Sequence, residues 1–568
     1  MLQHYDEQLK NRYNLDATLP LFIAQKEYDI KIDFNGLSIW NNTDNHKEVF
    51  VKKDKYDFLL SGNKLIPLLF GSVIQDIKYN LSMIFRGISI NGYFEYKINF
   101  DKSKFAKNVS LTDIIFDDSL PKVYIKLLCD MEENQEKWLT VVFNNEKTLL
   151  DLQPVSISTI MPEIMANFST GNKKSNKILQ SDTNQKWEYT ASYLIGITRD
   201  TLFIFDKKMN ESHIKVAGVI TDYEVLKDKL YVVIVKNAQS ILQVYNLDQS
   251  AQLTSKFITK SLGRIDLSFP SNKGLCFKVS DLLNGCAYYE YDEKKAKAKL
   301  HRVVPYTNKK ISIDNSFFDE DHFYIKKLFI KEVKNKGSIF SFHGGPESFE
   351  QLDDRWLADY EKYLNAGYTV YIVNYPGSIS FGKKYAESIW KNWENEISLG
   401  IQRIATDCVK NYNLLSYKLI FLGGSFGAPL AYRFCEYFTK TLHFTKTRAI
   451  LISPLVNLRQ HINKLDEDNR KWFTQRFSEK DINYLSIASD KDIPSFELFC
   501  LQGINDEILS TFETLDYFSK LSRKNYKLGK LEIIPEMIHG PLVYSQYEEL
   551  IRFIRQGIEK KWERLELP

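Results

Sequence analysis

Apolar and polar positions alternate in short runs between residues 30 and 310. Runs such as "LYVVIVK" (230–236) and "LCFKVSD" (275–281) are separated by polar turns, and helical periodicity is scarce. Short alternating runs bounded by turn residues are typical of antiparallel strands. The 33 tyrosines and 37 phenylalanines agree with this, because aromatic residues suit half-buried strands. We therefore predict an all-β N-terminal domain.

The spacing of these runs predicts a β-propeller. Apolar runs begin at Leu194, Leu230 and Leu275, and a repeat of about 40 residues is the size of one blade of four antiparallel strands. Seven such blades would fill the segment, so we predict a seven-bladed propeller over residues 21–312. A β-sandwich pair is the alternative, because the repeat has no signature dipeptide. Residues 1–20 form an N-terminal segment that could pack on the C-terminal domain.

From residue 313 the pattern changes to an alternation of strand and helix. Apolar strands such as "GSIFSF" (337–342), "YTVYIVN" (368–374) and "KLIFLGG" (418–424) are separated by amphipathic stretches such as "EISLGIQRIATDCVKNYN". This alternation is typical of an α/β sheet, which carries its chemistry at the carboxyl ends of the strands. We predict an α/β domain over residues 313–568.

One serine lies where an apolar strand meets a cluster of small residues, in "LIFLGGSFGAPL" (419–430). Gly423 and Gly427 are the second neighbours of Ser425, and this G-x-S-x-G pattern allows the sharp turn that exposes a nucleophilic hydroxyl at a sheet edge. Pro429 suits the first turn of a following helix. An ordinary strand-to-helix junction is the alternative, so the pattern needs an acid and a base as partners.

Both partners follow in the order that such a site requires. "FELFCLQGINDEIL" (496–509) ends a strand and places Asp506 on the next loop, and "KLEIIPEMIHGPL" (530–542) does the same for His539. The chain order Ser, Asp, His, with each residue after a strand, is that of α/β-hydrolases. We predict Ser425, Asp506 and His539 as the catalytic triad.

Other acids and histidines lie near these positions in the sequence. Glu507 adjoins Asp506 and is expected to point elsewhere on the loop. His443 and His461 fall in stretches expected to be helix or lid, and we interpret them as surface residues. Nothing in the sequence fixes the geometry of the remaining acids between the strands, which are Asp466, Asp468, Asp481, Asp490 and Asp492.

Attack on a carbonyl also requires N–H groups that stabilise the developing oxyanion. The segment His343-Gly344-Gly345-Pro346 follows a strand, and its two glycines let the backbone approach a substrate. We predict the N–H groups of Gly345 and Phe426 as the oxyanion hole. A tight turn before a helix is the alternative for this segment.

The composition of the chain limits the classes of binding partner that we predict. The 76 basic and 72 acidic residues give a net charge of +4, which supplies no electrostatic case for binding nucleic acid or a membrane surface; a base-stacking surface is the minority alternative for the aromatic residues. No apolar run reaches about 18 residues, and the N-terminus lacks a secretory signal pattern. The six dispersed cysteines suit free thiols in a reducing compartment. We expect a cytoplasmic protein, and the sequence leaves a homo-oligomer open.

Taken in order, several motifs resemble the prolyl oligopeptidase family of serine peptidases, in which a β-propeller precedes an α/β-hydrolase. They are "FHGGP" (342–346), "AGYTVYIVNYPGSISFGKKY" (366–385), "GGSFGA" (423–428), "GINDEIL" (503–509) and "IHG" (538–540). The HGGP motif and the chain's size are most similar to the acylaminoacyl-peptidase branch. The chain departs from the family at Pro376, where arginine is usual, and at Ile379 and Phe381, where small residues are usual.

The resemblance implies acyl transfer by the triad without a metal or cofactor. It also implies a propeller that limits access, so that the substrates are short peptides, including N-blocked ones. Gly344 and Tyr375 are the candidates for substrate contact. An esterase or amidase acting on a small natural product or a modified peptide is the alternative that the altered "NYPGSISFG" loop raises. A propeller interaction module with an inert hydrolase is the third reading.

Overall fold

The computed structural model divides into two compact units, residues 1–305 and 306–568. It describes residues 18–568 except for the segments 24–25, 34–35, 45, 53–56, 76–80, 100–108, 117–121, 130–134, 144–148, 156–185, 190–192, 207–209, 249–251, 259–262, 283–284, 306–310, 315–322, 353–359, 412–417, 490–492, 542–543 and 561–565. Most of the predicted N-terminal segment, 1–20, lies outside the described residues, and its last three residues begin the first strand. The predicted domain bounds of 21–312 and 313–568 stay a prediction.

Six consecutive four-stranded antiparallel sheets lie in the described part of the N-terminal unit, each with its strands in chain order. The first three sheets contain β1 (Thr18–Ile23), β2 (Lys26–Asp33), β3 (Gly36–Asn41), β4 (His46–Lys52), β5 (Phe58–Ser61), β6 (Leu68–Gln75), β7 (Leu81–Ser89), β8 (Gly92–Asn99), β9 (Val109–Phe116), β10 (Lys122–Cys129), β11 (Gln135–Phe143) and β12 (Leu149–Val155). The next three contain β13 (Lys186–Tyr189), β14 (Tyr193–Ile197), β15 (Thr201–Asp206), β16 (Glu211–Lys215), β17 (Val219–Leu226), β18 (Lys229–Lys236), β19 (Gln239–Asn246), β20 (Gln252–Ile258), β21 (Arg264–Pro270), β22 (Leu275–Asp281), β23 (Gly285–Asp292) and β24 (Lys297–Val304).

Neighbouring sheets of this unit bury their apolar faces against each other. Leu202 and Ile214 of the fourth sheet share a buried cluster with Leu230 and Val232 of the fifth. The opposite face of β18 packs on the sixth sheet through Tyr231 and its neighbours. Strand β18 is therefore buried on both faces, which explains why its sequence is a continuous apolar run.

The first and sixth sheets are also in contact. The Phe22 N–H donates to Cys276 Sγ at 3.4 Å, and Arg302 Nη2 donates to Asp29 Oδ1 at 2.7 Å. The ring of Phe22 stacks on His301 with centroids 3.9 Å apart. The described residues of this unit are thus all-β, as the alternating pattern predicts, and its first and last described sheets are adjacent. The count of seven blades is not confirmed, since the described residues form six such sheets.

The C-terminal unit is built around an eight-stranded sheet with the order β25-β26-β28-β27-β29-β30-β31-β32. The strands β25 and β26 are antiparallel to their neighbours, and the pairs from β28 to β32 are parallel. The strands are β25 (Ser312–Asp314), β26 (Tyr324–Phe329), β27 (Gly337–Phe342), β28 (Tyr368–Asn374), β29 (Lys418–Gly424), β30 (Thr447–Ile452), β31 (Glu497–Gly503) and β32 (Gly529–Ile534).

Helices cover this sheet. They are α1 (Tyr360–Asn365), α2 (Lys383–Ser388), α3 (Trp393–Asn411), α4 (Gly427–Lys440), α5 (Leu458–Lys464), α6 (Glu467–Arg476), α7 (Glu479–Leu485), α8 (Thr511–Arg523) and α9 (Tyr544–Glu559), with short 3₁₀ turns at Ile379–Phe381 and Ile487–Ser489. The central strands are completely buried on both faces, as in β27 and β30, because helices pack on each side. The sheet is therefore of the α/β type that the strand–helix alternation predicts.

The parallel strands bring the predicted site to one edge of the sheet. Register pairs Phe342 with Gly423, and Gly503 with Ile534, so these strands end side by side. The loops that carry the HGGP motif, Ser425, Asp506 and His539 all follow these carboxyl ends. This edge is where open α/β sheets place their ligands.

Candidate active site

Ser425 occupies a sharp turn between β29 and α4. Its backbone has φ +52°, a left-handed conformation that is strained for a residue with a side chain. The Ser425 N–H donates to the Ile452 carbonyl at 2.9 Å, and the Ser425 carbonyl accepts from Leu455 N–H at 3.1 Å. These bonds to the neighbouring strand β30 and its loop hold the strained turn in place, as expected for a nucleophile elbow.

The two glycines of the G-x-S-x-G pattern are required by close backbone contacts. A β-carbon on Gly423 would lie 2.3 Å from the Gly427 carbonyl oxygen, and one on Gly427 would lie 2.3 Å from the Phe342 oxygen. Backbone atoms cannot move aside as a flexible side chain can. The sharp turn that the G-x-S-x-G pattern predicts therefore has no room for a side chain at either glycine.

Asp506 and His539 are joined by a hydrogen bond. Asp506 Oδ2 accepts from His539 Nδ1 at 2.9 Å. The Asp506 side chain is fully buried, whereas that of His539 is 25% exposed. The second oxygen, Oδ1, accepts from the N–H groups of Ile508 at 3.0 Å and Leu509 at 2.8 Å. The carboxylate is thus fixed by its own loop and oriented at the imidazole.

The structure brings Ser425 to the same edge but does not bond it to the histidine. Among the described residues, Ser425 Oγ makes no hydrogen bond with His539. Both residues are partly exposed. Catalytic hydrogen bonds are often long in the absence of substrate and tighten only in the complex.

The HGGP loop lies directly against the serine. A β-carbon on Gly344 would lie 3.7 Å from Ser425 Oγ, so this backbone approaches the hydroxyl closely. Gly345 is exposed and has φ +129°, a conformation that favours glycine. Within the described part of the chain, neither the Gly345 N–H nor the Phe426 N–H has a hydrogen-bond acceptor. Two donors without a protein partner, one next to Ser425 in the chain and the other next to Gly344, suit an oxyanion hole.

The stacked rings of His343 and Tyr375 support the HGGP loop. His343 is buried, and its ring stacks on Tyr375 with centroids 4.3 Å apart. Burial lowers the pKa of His343 to about 4, although its hydrogen bond with the Gly344 carbonyl acts in the opposite direction. His343 Nδ1 is 2.6 Å from the Gly344 oxygen and Nε2 is 2.7 Å from Ser378 Oγ. The Ser378 hydroxyl donates to the Tyr375 carbonyl at 2.7 Å, so that these contacts connect the His343 ring to the loop that follows β28.

Tyr375 is fully buried. Its hydroxyl donates to the carbonyls of His343 at 3.0 Å and Gly344 at 3.4 Å. These contacts orient the loop. Direct contact with a substrate, the role that the sequence suggested, would require surface that Tyr375 does not expose.

The other acids considered have different positions. Glu507 is exposed next to the buried Asp506. Asp466 and Asp481 accept hydrogen bonds at the starts of α6 and α7, which is a capping role. Asp490 and Asp492 lie outside the described residues.

Two neighbours of the predicted triad are not apparent from the sequence. Gln502 Nε2 donates to Asp506 Oδ2 at 2.8 Å from within β31, and no motif marks a strand glutamine for this role. His461, interpreted as a surface residue, is partly buried in α5; burial lowers its pKa, Glu513 raises it, and Lys464 and His539 lower it. His443 is exposed, as predicted.

The search for other kinds of site gives two results. The described residues contain no group of three or more His, Cys, Asp or Glu side chains arranged to hold a metal ion. Among the described helices, none combines the length and apolar character needed to cross a membrane.

The parallel sheet and the elbow at its carboxyl edge define the C-terminal unit as an α/β-hydrolase. A family model described as the prolyl oligopeptidase family matches residues 356–560 within this unit. Over these residues the chain is similar to the prolyl oligopeptidase family. This similarity supports a hydrolase that acts on peptides.

Solved structures share the fold at low sequence identity. An acylaminoacyl peptidase from Pyrococcus horikoshii matches with a TM-score of 0.58 and 10% identity over 97% of each chain. Oligopeptidase B from Leishmania major matches with a TM-score of 0.59 and 11% identity over 98% of this chain and 88% of its own. A puromycin-hydrolyzing peptidase from Mycobacterium tuberculosis matches with a TM-score of 0.51 and 12% identity over 97% and 88%. Comparison with curated protein sequences gives no match.

Proposed function

We propose that the protein is a serine peptidase in which Ser425 is the nucleophile, His539 the general base and Asp506 the acid of the triad. The observation that carries the proposal is the bond from His539 to the buried Asp506, at the sheet edge that also holds Ser425. Geometry of this kind, rather than sequence position, identifies such a triad.

The first half of the reaction follows from the hydrogen-bond pattern. The Asp506 carboxylate only accepts, so His539 Nδ1 carries a proton and Nε2 has a free lone pair. His539 Nε2 takes the proton of Ser425 Oγ as that oxygen attacks the substrate carbonyl. The resulting tetrahedral intermediate places its negative oxygen between the N–H groups of Gly345 and Phe426.

The second half releases the products. The imidazolium, stabilised by Asp506, gives its proton to the leaving amine, and the C–N bond breaks to leave an ester on Ser425. Water then attacks this ester, with His539 as the base, and the acid product leaves with Ser425 Oγ protonated again. No step requires a metal or a cofactor.

Short peptides, including N-blocked ones, are the proposed substrates. The resemblance of the motifs to the acylaminoacyl-peptidase branch supports this class, and the fold shared with the Pyrococcus horikoshii enzyme agrees with it. On the same basis, the N-terminal sheets are proposed to be a β-propeller of seven blades that restricts access to short chains. A cytoplasmic location and a possible homo-oligomer stay predictions.

A second candidate function is an esterase or amidase for a small natural product or a modified peptide. The loop 375–382 favours it, because Pro376 is buried where the family usually has arginine. The ring of Phe381 in this loop stacks on Tyr324 with centroids 4.0 Å apart. Neither Pro376 nor Phe381 therefore offers a positive charge to a peptide substrate.

Turnover of matched substrates separates the two functions. Acyl-peptide amides and the corresponding p-nitrophenyl esters should both be hydrolysed by the wild type, and by Ser425→Ala at a rate near background. Hydrolysis of esters alone would remove the peptidase proposal and leave the alternative. A peptide-library digest analysed by mass spectrometry would then measure the length limit, and cleavage of long chains would exclude restricted access.

A further inference from the structure

An ion pair ties the segment after Gly345 to helix α6. Arg476, the last residue of α6, donates from Nε to Glu347 Oε1 at 2.8 Å. The side chains of Arg476 and Glu347 are only 13% and 17% exposed. The pair is therefore shielded from the water and salt that weaken surface ion pairs.

The guanidinium of Arg476 is fixed on two sides by tryptophan rings. Its central carbon lies 4.4 Å from the ring centroid of Trp390 and 4.3 Å from that of Trp472. The Arg476 carbonyl also accepts from Lys391 N–H at 2.8 Å. A planar, weakly hydrated guanidinium can stack in this way, whereas a lysine ammonium is compact and strongly hydrated.

Glu347 is in close contact with the proposed oxyanion donor. A β-carbon on Gly345 would lie 2.9 Å from the Glu347 nitrogen and 3.1 Å from the Ser348 nitrogen. The Ser348 N–H in turn donates to the Pro346 carbonyl at 2.8 Å. Because these atoms form one tight turn, a displacement of Glu347 moves Gly345 with it.

The loop is held from different sides by different residues. Tyr375 bonds the carbonyls of His343 and Gly344, and Ile379 N–H bonds the Ser348 carbonyl at 3.1 Å. Arg476 supplies the tie to α6, through the side chain of Glu347.

We propose that Arg476 is a positioning residue that sets the Gly345 N–H at the oxyanion site through its ion pair with Glu347. This inference rests on the proposed function. An oxyanion donor acts in the transition state, so a misplaced donor lowers kcat more than it raises KM. The residue contacts neither the substrate nor the reacting atoms.

The test compares four single variants with the wild type on an acyl-peptide amide. Arg476→Gln should lower kcat by about 10- to 100-fold with KM changed by less than about threefold, below the loss from complete removal of an oxyanion donor. Arg476→Lys should lower kcat almost as much as Arg476→Gln does, because lysine cannot stack between the tryptophans. Glu347→Gln keeps an acceptor oxygen for Arg476, so its kcat should fall less than that of Arg476→Gln. Arg459→Gln is the matched control, since Arg459 and Glu479 form an exposed pair between α5 and α7, and its kcat should stay within about twofold.

Active-site titration with a fluorophosphonate and thermal unfolding accompany the kinetics. If kcat per titrated site in Arg476→Gln or Glu347→Gln equals that of the wild type, the inference is overturned, because the loss is then only one of folded enzyme. Full activity of Arg476→Lys would overturn it in the same way. A wild type that neither turns over nor reacts at Ser425 overturns the proposed function and the inference with it, whereas an active wild type with equally active variants overturns the inference alone.

Discussion

Gly344 lies against Ser425, so that a β-carbon on the glycine would be 3.1 Å from the serine Cβ and 3.7 Å from Oγ. This approach connects the loop after β27 with the elbow after β29. Because β27 and β29 are parallel neighbours, the close contact follows directly from the order of strands in the sheet.

Gly344→Ala should therefore impair catalysis more than folding. A Cβ at 3.1 Å forces a shift of a few tenths of an ångström between the loop and the nucleophile, whereas a misplacement of about 1 Å costs about 100-fold. We expect kcat on an acyl-peptide amide to fall by about 10-fold while the melting temperature changes little. An unchanged kcat would show that the Gly344 backbone does not constrain the reacting groups.

Substitutions at Asp506 and at the adjacent Glu507 test which of the two is the acid of the triad. Asp506→Asn keeps the acceptors for Ile508 and Leu509 but favours the wrong imidazole tautomer, so kcat should fall by about 10⁴ with little change in KM. Glu507→Gln alters an exposed side chain and should have little effect. Comparable losses, measured with circular dichroism to check folding, would mean that Asp506 is not the acid.

Gly427→Ala should destabilise the C-terminal unit. Its new Cβ would be 2.3 Å from the Phe342 oxygen and 2.6 Å from the His343 oxygen, and overpacking against backbone costs about 3 kcal/mol in the free energy of unfolding. Gly557→Ala is the control, because its nearest neighbour is Ile450 Cδ1, the end of a flexible side chain; we expect a change within about 1 kcal/mol. Urea unfolding of the two variants measures the contrast, and equal stabilities would contradict the steric account.

His343 predicts a pH dependence of stability. Its pKa is lowered from 6.5 to about 4 in the folded protein, first by burial. Between these values the unfolded chain binds a proton that the folded chain does not, so the free energy of unfolding falls as pH falls through this window, by about 3 kcal/mol. In His343→Asn, the free energy of unfolding should change less with pH over this window. If the variant keeps the wild-type slope, other groups cause the pH dependence.

Part of this architecture can be predicted from sequence because local rules produce it. The G-x-S-x-G turn at Ser425 and the apolar strands before Asp506 and His539 carry short-range signals, and the parallel sheet then brings their loops to one edge. The seven-bladed count rests on three runs beginning at Leu194, Leu230 and Leu275, whose uneven spacing does not fix a number. The order of strands, rather than a local motif, predicts Asp506 as the acid.

The remaining features depend on contacts between residues distant in sequence. Tyr375 looks like a site residue from its motif, but its burial behind His343 is visible only in three dimensions. Arg476 and Glu347 are separated by 129 positions, and an arginine at the end of a polar helix is ordinarily a surface residue. No sequence motif indicates the role of Gln502 either, since its bond to Asp506 depends on the conformation of the loop after β31.

Labelling with a fluorophosphonate tests the central claim, that Ser425 is an activated nucleophile, most directly. The folded wild type should acquire a single phosphonyl group per chain, and mass spectrometry of the digested protein should locate it on the peptide that contains Ser425. Ser425→Ala and the heat-denatured wild type should remain unlabelled, because reactivity requires both the hydroxyl and the folded arrangement with His539 and Asp506. No label on the folded wild type, or a label on a different residue, would contradict the account.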